Sequence, residues 1–202
     1  MPPSLTDTLC TRCGLCCDGS LFADVELAPD DAVLVLESLG LEIEDDDDRD
    51  GAELLIQPCA ALRGTRCRVY SQRPECCRTF ECRLLRDVRL GHLEPAAAHT
   101  RIAEALARIK TLRTQLRQLG PLEAGLSWRD QCTDLLAATE ESTDAAVQRQ
   151  RTETARSAKA LEAWLRTTFL GAKKAPIGNR TTQMPPRFNA DHRDDSPTHR
   201  RA

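Results

Sequence analysis

The sequence predicts an α+β protein: a small, cysteine-rich, metal-stabilised domain of short strands and helices, followed by a C-terminal helical hairpin and a disordered tail. Three observations support this prediction. Nine of the ten cysteines lie within the first 82 residues. Apolar residues recur at helical spacing after residue 95,. Beyond residue 172 apolar residues become few, which is typical of disorder,. The predicted boundaries are therefore 1–94, 95–171 and 172–202.

The composition limits the classes of partner. Aromatic residues make up 3% of the chain, charged residues 29%, and the net charge is −3. A small domain with so few aromatic side chains buries a thin core, and metal or disulfides commonly supply the missing stability. Nucleic acid is disfavoured as a partner, because side chains for base stacking are nearly absent.

The N-terminus and the hydropathy pattern predict a cytoplasmic protein. Residues 1–9 contain neither a basic region nor an apolar run, so no signal peptide is predicted,. No segment approaches the length of a membrane span, so no membrane partner is expected,. In a reducing compartment a dense set of cysteines more often binds metal or does redox chemistry than forms disulfides.

The first half of the cysteine-rich domain contains signals for one strand and one helix. Residues 21–27 alternate loosely, which predicts a strand,. Residues 29–39 predict a helix, with Pro29 at its first position and Gly40 as its stop,. The acidic run of residues 42–50 predicts a solvated loop,.

The second half predicts a hairpin and a further short helix. Residues 54–56 are a strand candidate, and turn residues follow them, so we expect them to pair with residues 67–70,. Pro74 predicts the start of a short helix that carries Cys77 and Cys82,.

The chain after Pro95 predicts two helices. Six apolar residues form a seam at alternating steps of three and four: Ile102, Ala105, Ile109, Leu112, Leu116 and Leu119,. Ser127 and Asp130 fit a capping box for a second helix that runs to Leu170, with Gly171 as its cap and a weakly apolar middle where it would break,. An antiparallel hairpin is the favoured packing, and a homodimer through the seam is the alternative.

The sequence of the helical region and the tail does not identify a binding partner. An unknown protein partner would bind through the helices. The tail is mildly basic, which favours a solubilising role over weak contact with an acidic partner,.

The cysteines stand at metal-ligand spacing in three groups. The groups are Cys10, Cys13, Cys16 and Cys17, then Cys59 and Cys67, then Cys76, Cys77 and Cys82. Two-residue spacing lets thiolates converge on one ion. One zinc ion or one four-iron cluster takes about four thiolates, so the nine cysteines could serve two sites or one site with cysteines to spare. Neighbouring side chains usually diverge, so adjacent cysteines do not readily share an ion.

The charges near the cysteines favour an anionic centre. Between Cys59 and Arg86 the only acidic residues are Glu75 and Glu81. They are outnumbered by seven arginines: Arg63, Arg66, Arg68, Arg73, Arg78, Arg83 and Arg86. Cations stabilise a dianionic four-thiolate zinc site or four-iron cluster. No histidine lies among the cysteines, so the ligand type suits zinc and iron–sulfur equally,. His92 is predicted in a connection, and Cys132 in the core.

Together these motifs resemble the bacterial CxxCxxCC cysteine-cluster family (YkgJ-like), whose domain is described as zinc- or iron-chelating. The likeness covers about residues 8 to 86. It implies metal ligands at Cys10, Cys13, Cys16, Cys17, Cys59, Cys67, Cys77 and Cys82. Cys76 falls at a variable position of the motif, which implies that it is dispensable.

Two functions from different classes follow. The first is chelation of iron, as an iron–sulfur cluster, or of zinc, with the cluster serving redox chemistry or electron transfer as part of an oxidoreductase. The second is a structural zinc module that presents the helical hairpin to a protein. Direct catalysis by Cys17 or Cys76 is disfavoured, because no acid–base partner and no Gly-rich loop accompanies them,. No catalytic constellation is identified.

Overall fold

The computed structural model describes residues 5–47 and 49–171. Its helices are α1 (Leu5–Cys13), α2 (Val33–Ser38), α3 (Glu75–Thr79), α4 (Arg83–Arg89), α5 (Pro95–Arg117), α6 (Trp128–Ala138) and α7 (Ala145–Leu165), the last continued by a π-helical turn over Arg166–Leu170. Its strands are β1 (Asp24–Glu26), β2 (Ile43–Asp45), β3 (Glu53–Ile56), β4 (Leu62–Arg63) and β5 (Arg66–Cys67), with a 3-10 turn at Tyr70–Gln72. The predicted α+β class is confirmed. The predicted disordered tail, 172–202, lies outside the described residues.

The larger sheet has β3 at its centre. β1 and β2 pair with β3 on either side, both antiparallel, and Leu55 lies opposite Val25 and Ile43. The side chain of Leu55 is 1% exposed. The prediction of a loop for the acidic run was wrong for residues 43–45, because pairing with β3 satisfies their backbone while their acidic side chains stay exposed,.

The predicted hairpin between residues 54–56 and 67–70 was wrong. β5 pairs with β4, with Cys67 opposite Leu62. Gly64, at φ +61°, lies in the turn between these two strands. A two-residue turn brings the strands together at a much smaller loop-closure cost than the longer connection from β3 would require.

The predicted start of helix α2 at Pro29 was also wrong. Pro29 lies in a turn that precedes α2, and one carboxylate oxygen of Asp31 accepts a hydrogen bond from the Ala28 N–H at 2.9 Å. The other oxygen accepts from the Glu75 N–H at 2.9 Å, at the start of α3. Asp31 therefore serves a turn and a distant helix rather than the first turn of its own helix, an Asx-type role that competes with helix. Gly40, at φ +82°, follows the helix as predicted.

Helix α5 begins at Pro95 as predicted and buries its apolar seam. Its buried residues are Ala98, Ile102, Ala105, Ile109, Leu112 and Leu116, whereas Leu119 is half-buried beyond its end. α5 packs along α7 and also contacts α1, α4 and α6. The seam is therefore covered by helices of the same chain.

The second predicted helix is interrupted at its weakly apolar middle. The capping box at Ser127 is confirmed: its hydroxyl accepts from the N–H groups of Arg129 and Asp130, and the Asp130 carboxylate accepts from the Ser127 N–H. After α6 ends, the Asp144 carboxylate accepts from the Ala146 N–H at 2.7 Å and starts α7,. The region thus contains three helices, with α6 packed on both α5 and α7.

One continuous core joins the two predicted regions. Buried residues run from Leu15 and Phe22 through Leu84 to Ile109 and Phe169. The predicted boundary between residues 94 and 95 coincides with the start of α5 and stays a prediction. Among the described residues, no helix is both long enough and apolar enough to cross a bilayer.

Candidate metal centre

Helix α1 and the turn after it position the first three cysteines. Cys10 and Cys13 lie three residues apart, a spacing that places them on one face of the helix,. Gly14, at φ +72°, ends the helix, and its N–H donates to the Cys10 carbonyl at 3.3 Å. The chain then turns back, since the Cys17 N–H donates to the Gly14 carbonyl at 2.9 Å. Cys16 lies inside this turn.

Helix α4 brings a fourth cysteine to α1. The prediction that Cys82 shares a helix with Cys77 was wrong, because α3 ends at Thr79. Cys82 is the N-cap of α4, and its sulfur accepts a hydrogen bond from the Leu85 N–H at 3.4 Å. α4 packs against α1, and Leu9 of α1 and Leu84 and Leu85 of α4 are buried in the same hydrophobic core. The N-terminus of α4 therefore lies beside the thiols of α1.

The backbone of Cys17 contacts the segment that carries Cys59 rather than helix α4. The Cys59 N–H donates to the Cys17 carbonyl at 2.8 Å, and also to the side-chain oxygen of Gln57 at 3.0 Å. The Cys59 carbonyl accepts from the Leu62 N–H at 2.9 Å, and Leu62 lies opposite Cys67 in the β4–β5 hairpin. Three cysteines are thus joined by consecutive backbone contacts.

Arg73 places Cys77 beside the same hairpin. Its guanidinium donates to the Tyr70 carbonyl at 3.0 Å and to the Cys77 carbonyl at 3.4 Å, and lies 3.6 Å from the centre of the Tyr70 ring. Its positive charge also favours the thiolate forms of Cys67 and Cys77, although the net pKa of each is raised.

Burial raises the pKa of most of these thiols. It is the largest cause for Cys13, Cys16, Cys17, Cys59, Cys67 and Cys82, whereas for Cys77 the largest cause is the hydrogen bond with Cys76. Neighbouring thiols add to the rise. Cys82 acts on Cys13 and Cys16, and Cys77 acts on Cys17. Buried thiols lose protons readily only when a cation compensates the charge, and a bound metal does so.

The donor set fits zinc or iron in its chemistry. All ten cysteines lie in the described part of the chain, and none forms a disulfide. Thiolates are the soft ligands that both metals accept. Across residues 5–47 and 49–171, however, no three His, Cys, Asp or Glu side chains converge closely enough to hold an ion as they stand. Several of the thiols nevertheless lie close enough to interact electrostatically, as Cys13 does with Cys82 and Cys17 does with Cys77.

Comparison with known protein families places this region. Residues 9–95 match the model of the CxxCxxCC family, described as "Putative zinc- or iron-chelating domain". On the basis of this similarity we refer to residues 9–95 as the CxxCxxCC domain. The expected cofactor, iron or zinc, agrees with that description. Neither the curated proteins nor the solved structures gave a match to the chain.

The CxxCxxCC domain contains all eight cysteines that the resemblance implies as ligands, and their ligation stays a prediction. Two further cysteines are not among these eight. The Cys76 sulfur is 4.0 Å from that of Cys77, at the start of α3. Cys132 is 6% exposed on α6, which confirms its predicted place in the core. His92 is exposed in the connection between α4 and α5, as predicted.

The arginines of the CxxCxxCC domain surround the thiols less closely than the sequence suggested. Five of the seven are exposed: Arg63, Arg66, Arg68, Arg78 and Arg86. Long cationic side chains keep their charge in water. Half-buried Arg83 donates to the Thr167 carbonyl at 3.2 Å and pairs with Asp87, so it joins α4 to the π-helical turn. Arg73 is the member placed beside Cys67 and Cys77.

Sequence reasoning missed Asp18, which directly follows the CxxCxxCC motif. Its carboxylate accepts from the Ser20 N–H at 2.9 Å, and burial raises its pKa. The same carboxylate contributes to the raised pKa values of Cys13 and Cys17. Asp18 therefore lies close to both groups of thiols, and its place immediately after Cys17 was the available signal.

Proposed function

We propose that the CxxCxxCC domain binds iron as an iron–sulfur cluster through its cysteine thiolates, and that the protein serves in electron transfer. The observation that carries this proposal is that eight thiols lie in one small domain with no histidine between Cys10 and Cys82, and that burial disfavours the unligated thiolates of most of them. An iron–sulfur cluster supplies one-electron chemistry when it is bound.

Several contacts of the domain support this proposal. A backbone N–H of α4 already donates to the sulfur of Cys82, and N–H···S hydrogen bonds stabilise ligating thiolates,. Arg73 lies beside Cys67 and Cys77 and compensates negative charge there. The strands of the domain are two to four residues long, so a bound metal would add stability that the sheet alone supplies poorly,.

The experiment is purification without oxygen, with iron, acid-labile sulfide and zinc measured per chain. We expect iron and sulfide together, and visible absorption that dithionite bleaches. The Cys132→Ser variant, changed outside the CxxCxxCC domain, should keep the metal content of the wild type. A colourless protein that lacks iron and sulfide overturns the proposal, and one that carries no metal at all also overturns the zinc alternative given below.

A structural zinc module is the second candidate. The hydrogen bonds between the loop after the cysteine motif and helix α6 favour it. The Trp128 indole N–H donates to the Ser20 hydroxyl at 3.2 Å, and Arg129 donates to the Ser20 carbonyl at 3.0 Å. Zinc bound to the flanking cysteines would then organise the surface on which α6 docks. This candidate predicts a colourless, oxygen-stable protein with stoichiometric zinc that unfolds under chelator.

A further inference from the structure

We propose that the eight thiols form two separate four-thiolate sites, which divide the adjacent pair Cys16–Cys17 between them. Site 1 consists of Cys10, Cys13, Cys16 and Cys82, and site 2 of Cys17, Cys59, Cys67 and Cys77. This inference rests on the proposed metal binding and adds how many sites there are and which thiols belong to each.

Site 1 is built by the contact of two helices. Cys10 and Cys13 share a face of α1, and the turn that begins at Gly14 returns Cys16 toward that helix,. α4 packs on α1 and presents Cys82 at its N-cap. The charge interactions agree with this grouping, since Cys13 and Cys82 are the two thiols that act most strongly on Cys16.

Site 2 is built by loops and the β4–β5 hairpin. The Cys59 N–H bonds to the Cys17 carbonyl at 2.8 Å, and the Cys59 carbonyl bonds to the strand opposite Cys67. α3 supplies Cys77, whose carbonyl accepts from Arg73. Cys77, Cys59 and Cys67 are likewise the thiols that act most strongly on Cys17.

The backbone at Cys16 and Cys17 explains why the pair separates. The Cys17 N–H is bonded back to Gly14, on the side of α1, whereas its carbonyl is bonded forward to Cys59. The two sites are therefore connected through the peptide bond between Cys16 and Cys17. Cys17 also acts on Cys16 electrostatically, as expected for sequence neighbours: less than Cys13 and Cys82 do, but more than Cys10 does.

The number of donors agrees with two sites. A tetrahedral zinc ion or a four-iron cluster takes about four thiolates, and eight thiols divide into two such sets without remainder. Cys76 and Cys132 belong to neither. The Cys76 sulfur lies 4.0 Å from that of Cys77, so Cys76 borders site 2, and the C76S variant tests that it is not a ligand.

The test combines four cysteine-to-serine substitutions in pairs, either with both in one site or with one in each site. The within-site variants are C13S/C82S and C59S/C67S, and the between-site variants are C13S/C59S and C82S/C67S. Each chain is loaded with zinc alone under anaerobic conditions, and bound zinc per chain is measured. Because three remaining thiolates can still bind zinc with a water, only zinc that resists a competing chelator is counted. We expect two such equivalents for the wild type, one for each within-site variant and almost none for each between-site variant. C76S should bind as much as the wild type.

The results separate failure of this inference from failure of metal binding. Wild-type protein that binds zinc, with between-site variants that retain as much as within-site variants, overturns the division. A wild type that binds a single equivalent, or a within-site variant that loses all its zinc, also overturns it. Wild-type protein that takes up neither zinc nor iron contradicts the proposed function itself, and the division with it.

A second measurement needs no substitution, so it holds even if a variant does not fold. Wild-type zinc-loaded protein is partly stripped by a chelator, alkylated without unfolding, and weighed intact. Two sites predict populations that differ by four protected thiols, and peptide mapping of the intermediate should find protection confined to the members of site 1 or of site 2. Protection mixed between the sites in single chains overturns the division.

Discussion

The indole N–H of Trp128 donates a hydrogen bond to the hydroxyl of Ser20 at 3.2 Å, across 108 residues of sequence. Both residues are buried, and Ser20 lies three positions after Cys17. The Ser20 carbonyl also accepts from Arg129 at 3.0 Å. The start of α6 therefore holds the loop that follows the cysteine motif, so the stability of the helices and that of the loop are coupled.

Replacing Trp128 by Phe should destabilise the fold by about 1–3 kcal/mol, because it leaves the buried Ser20 hydroxyl without its donor. The measurement is the free energy of unfolding in urea. Ser20→Ala in the Trp128→Phe background should cost much less than Ser20→Ala in the wild type. Equal costs in the two backgrounds would show that the hydrogen bond contributes nothing.

Gly19 and Gly40 separate steric clash from backbone strain. Both have positive φ, +77° and +82°, so Ala at either costs roughly 1–2 kcal/mol,. At Gly19 a Cβ would lie 2.6 Å from the Cβ of Ser127, whereas at Gly40 nothing lies within 4 Å. We expect Gly19→Ala to lower the melting temperature clearly more than Gly40→Ala, because it pushes against the N-cap of α6. Similar melting temperatures for the two variants would contradict the close approach.

Arg129 and Arg108 are matched in one contact and differ in the others. Each guanidinium lies 4.7 Å from the centre of a tryptophan ring, Trp128 and Trp164 respectively. Arg108 otherwise makes an exposed pair within its own helix, and such pairs contribute about 0.2–0.5 kcal/mol,. Arg129 instead bonds to the Ser20 carbonyl and to a half-buried carboxylate on α7.

Arg129→Ala should therefore cost about 1.5–3 kcal/mol in free energy of unfolding, because it removes hydrogen bonds from a charged donor to partly buried acceptors. Arg108→Ala is the control and should change that free energy by less than about 1 kcal/mol. The prediction fails if chemical denaturation gives the two variants the same loss.

Cys132 should make stability depend on pH in the alkaline range. Burial raises the pKa of this thiol to about 11, and Arg129 lowers it in part. A pKa raised in the folded state means that the stabilisation is complete below the ordinary thiol pKa, near 9, and is lost as pH rises toward 11,.

The measurement compares the wild type with Cys132→Ala in urea unfolding at several pH values. The stability advantage of the wild type should shrink between pH 9 and 11, while contributions of the other cysteines are shared by both proteins. A difference that stays constant over this range would mean that Cys132 titrates alike in the folded and unfolded states.

Signals contained in a few consecutive residues predicted the helical region well. Pro95 marks the start of α5, Ser127 with Asp130 marks the start of α6, and the apolar spacing identifies the buried face of α5. Each depends on local backbone geometry or on helical periodicity. Such features need no knowledge of the rest of the chain.

The pairing of strands and the start of α2 depended on distant partners. β3 pairs with β1 and β2 instead of with residues 67–70. Asp31 accepts a hydrogen bond from the start of α3, 44 residues away. Short strands carry little pattern of their own, so several pairings fit the same residues. Only the packed structure selects among them.

Sequence alone determined that this chain concentrates eight metal-binding candidates in one small domain, because cysteine spacing and the absence of histidine between Cys10 and Cys82 can be read without a fold. Tertiary structure decided which thiols are neighbours: α4 returns Cys82 to α1, and the β4–β5 hairpin carries Cys67 to Cys59 and Cys17. The physical reason is that a ligand set is defined by distance in space, and the packing of buried side chains such as Leu9, Leu84 and Leu85 sets that distance,.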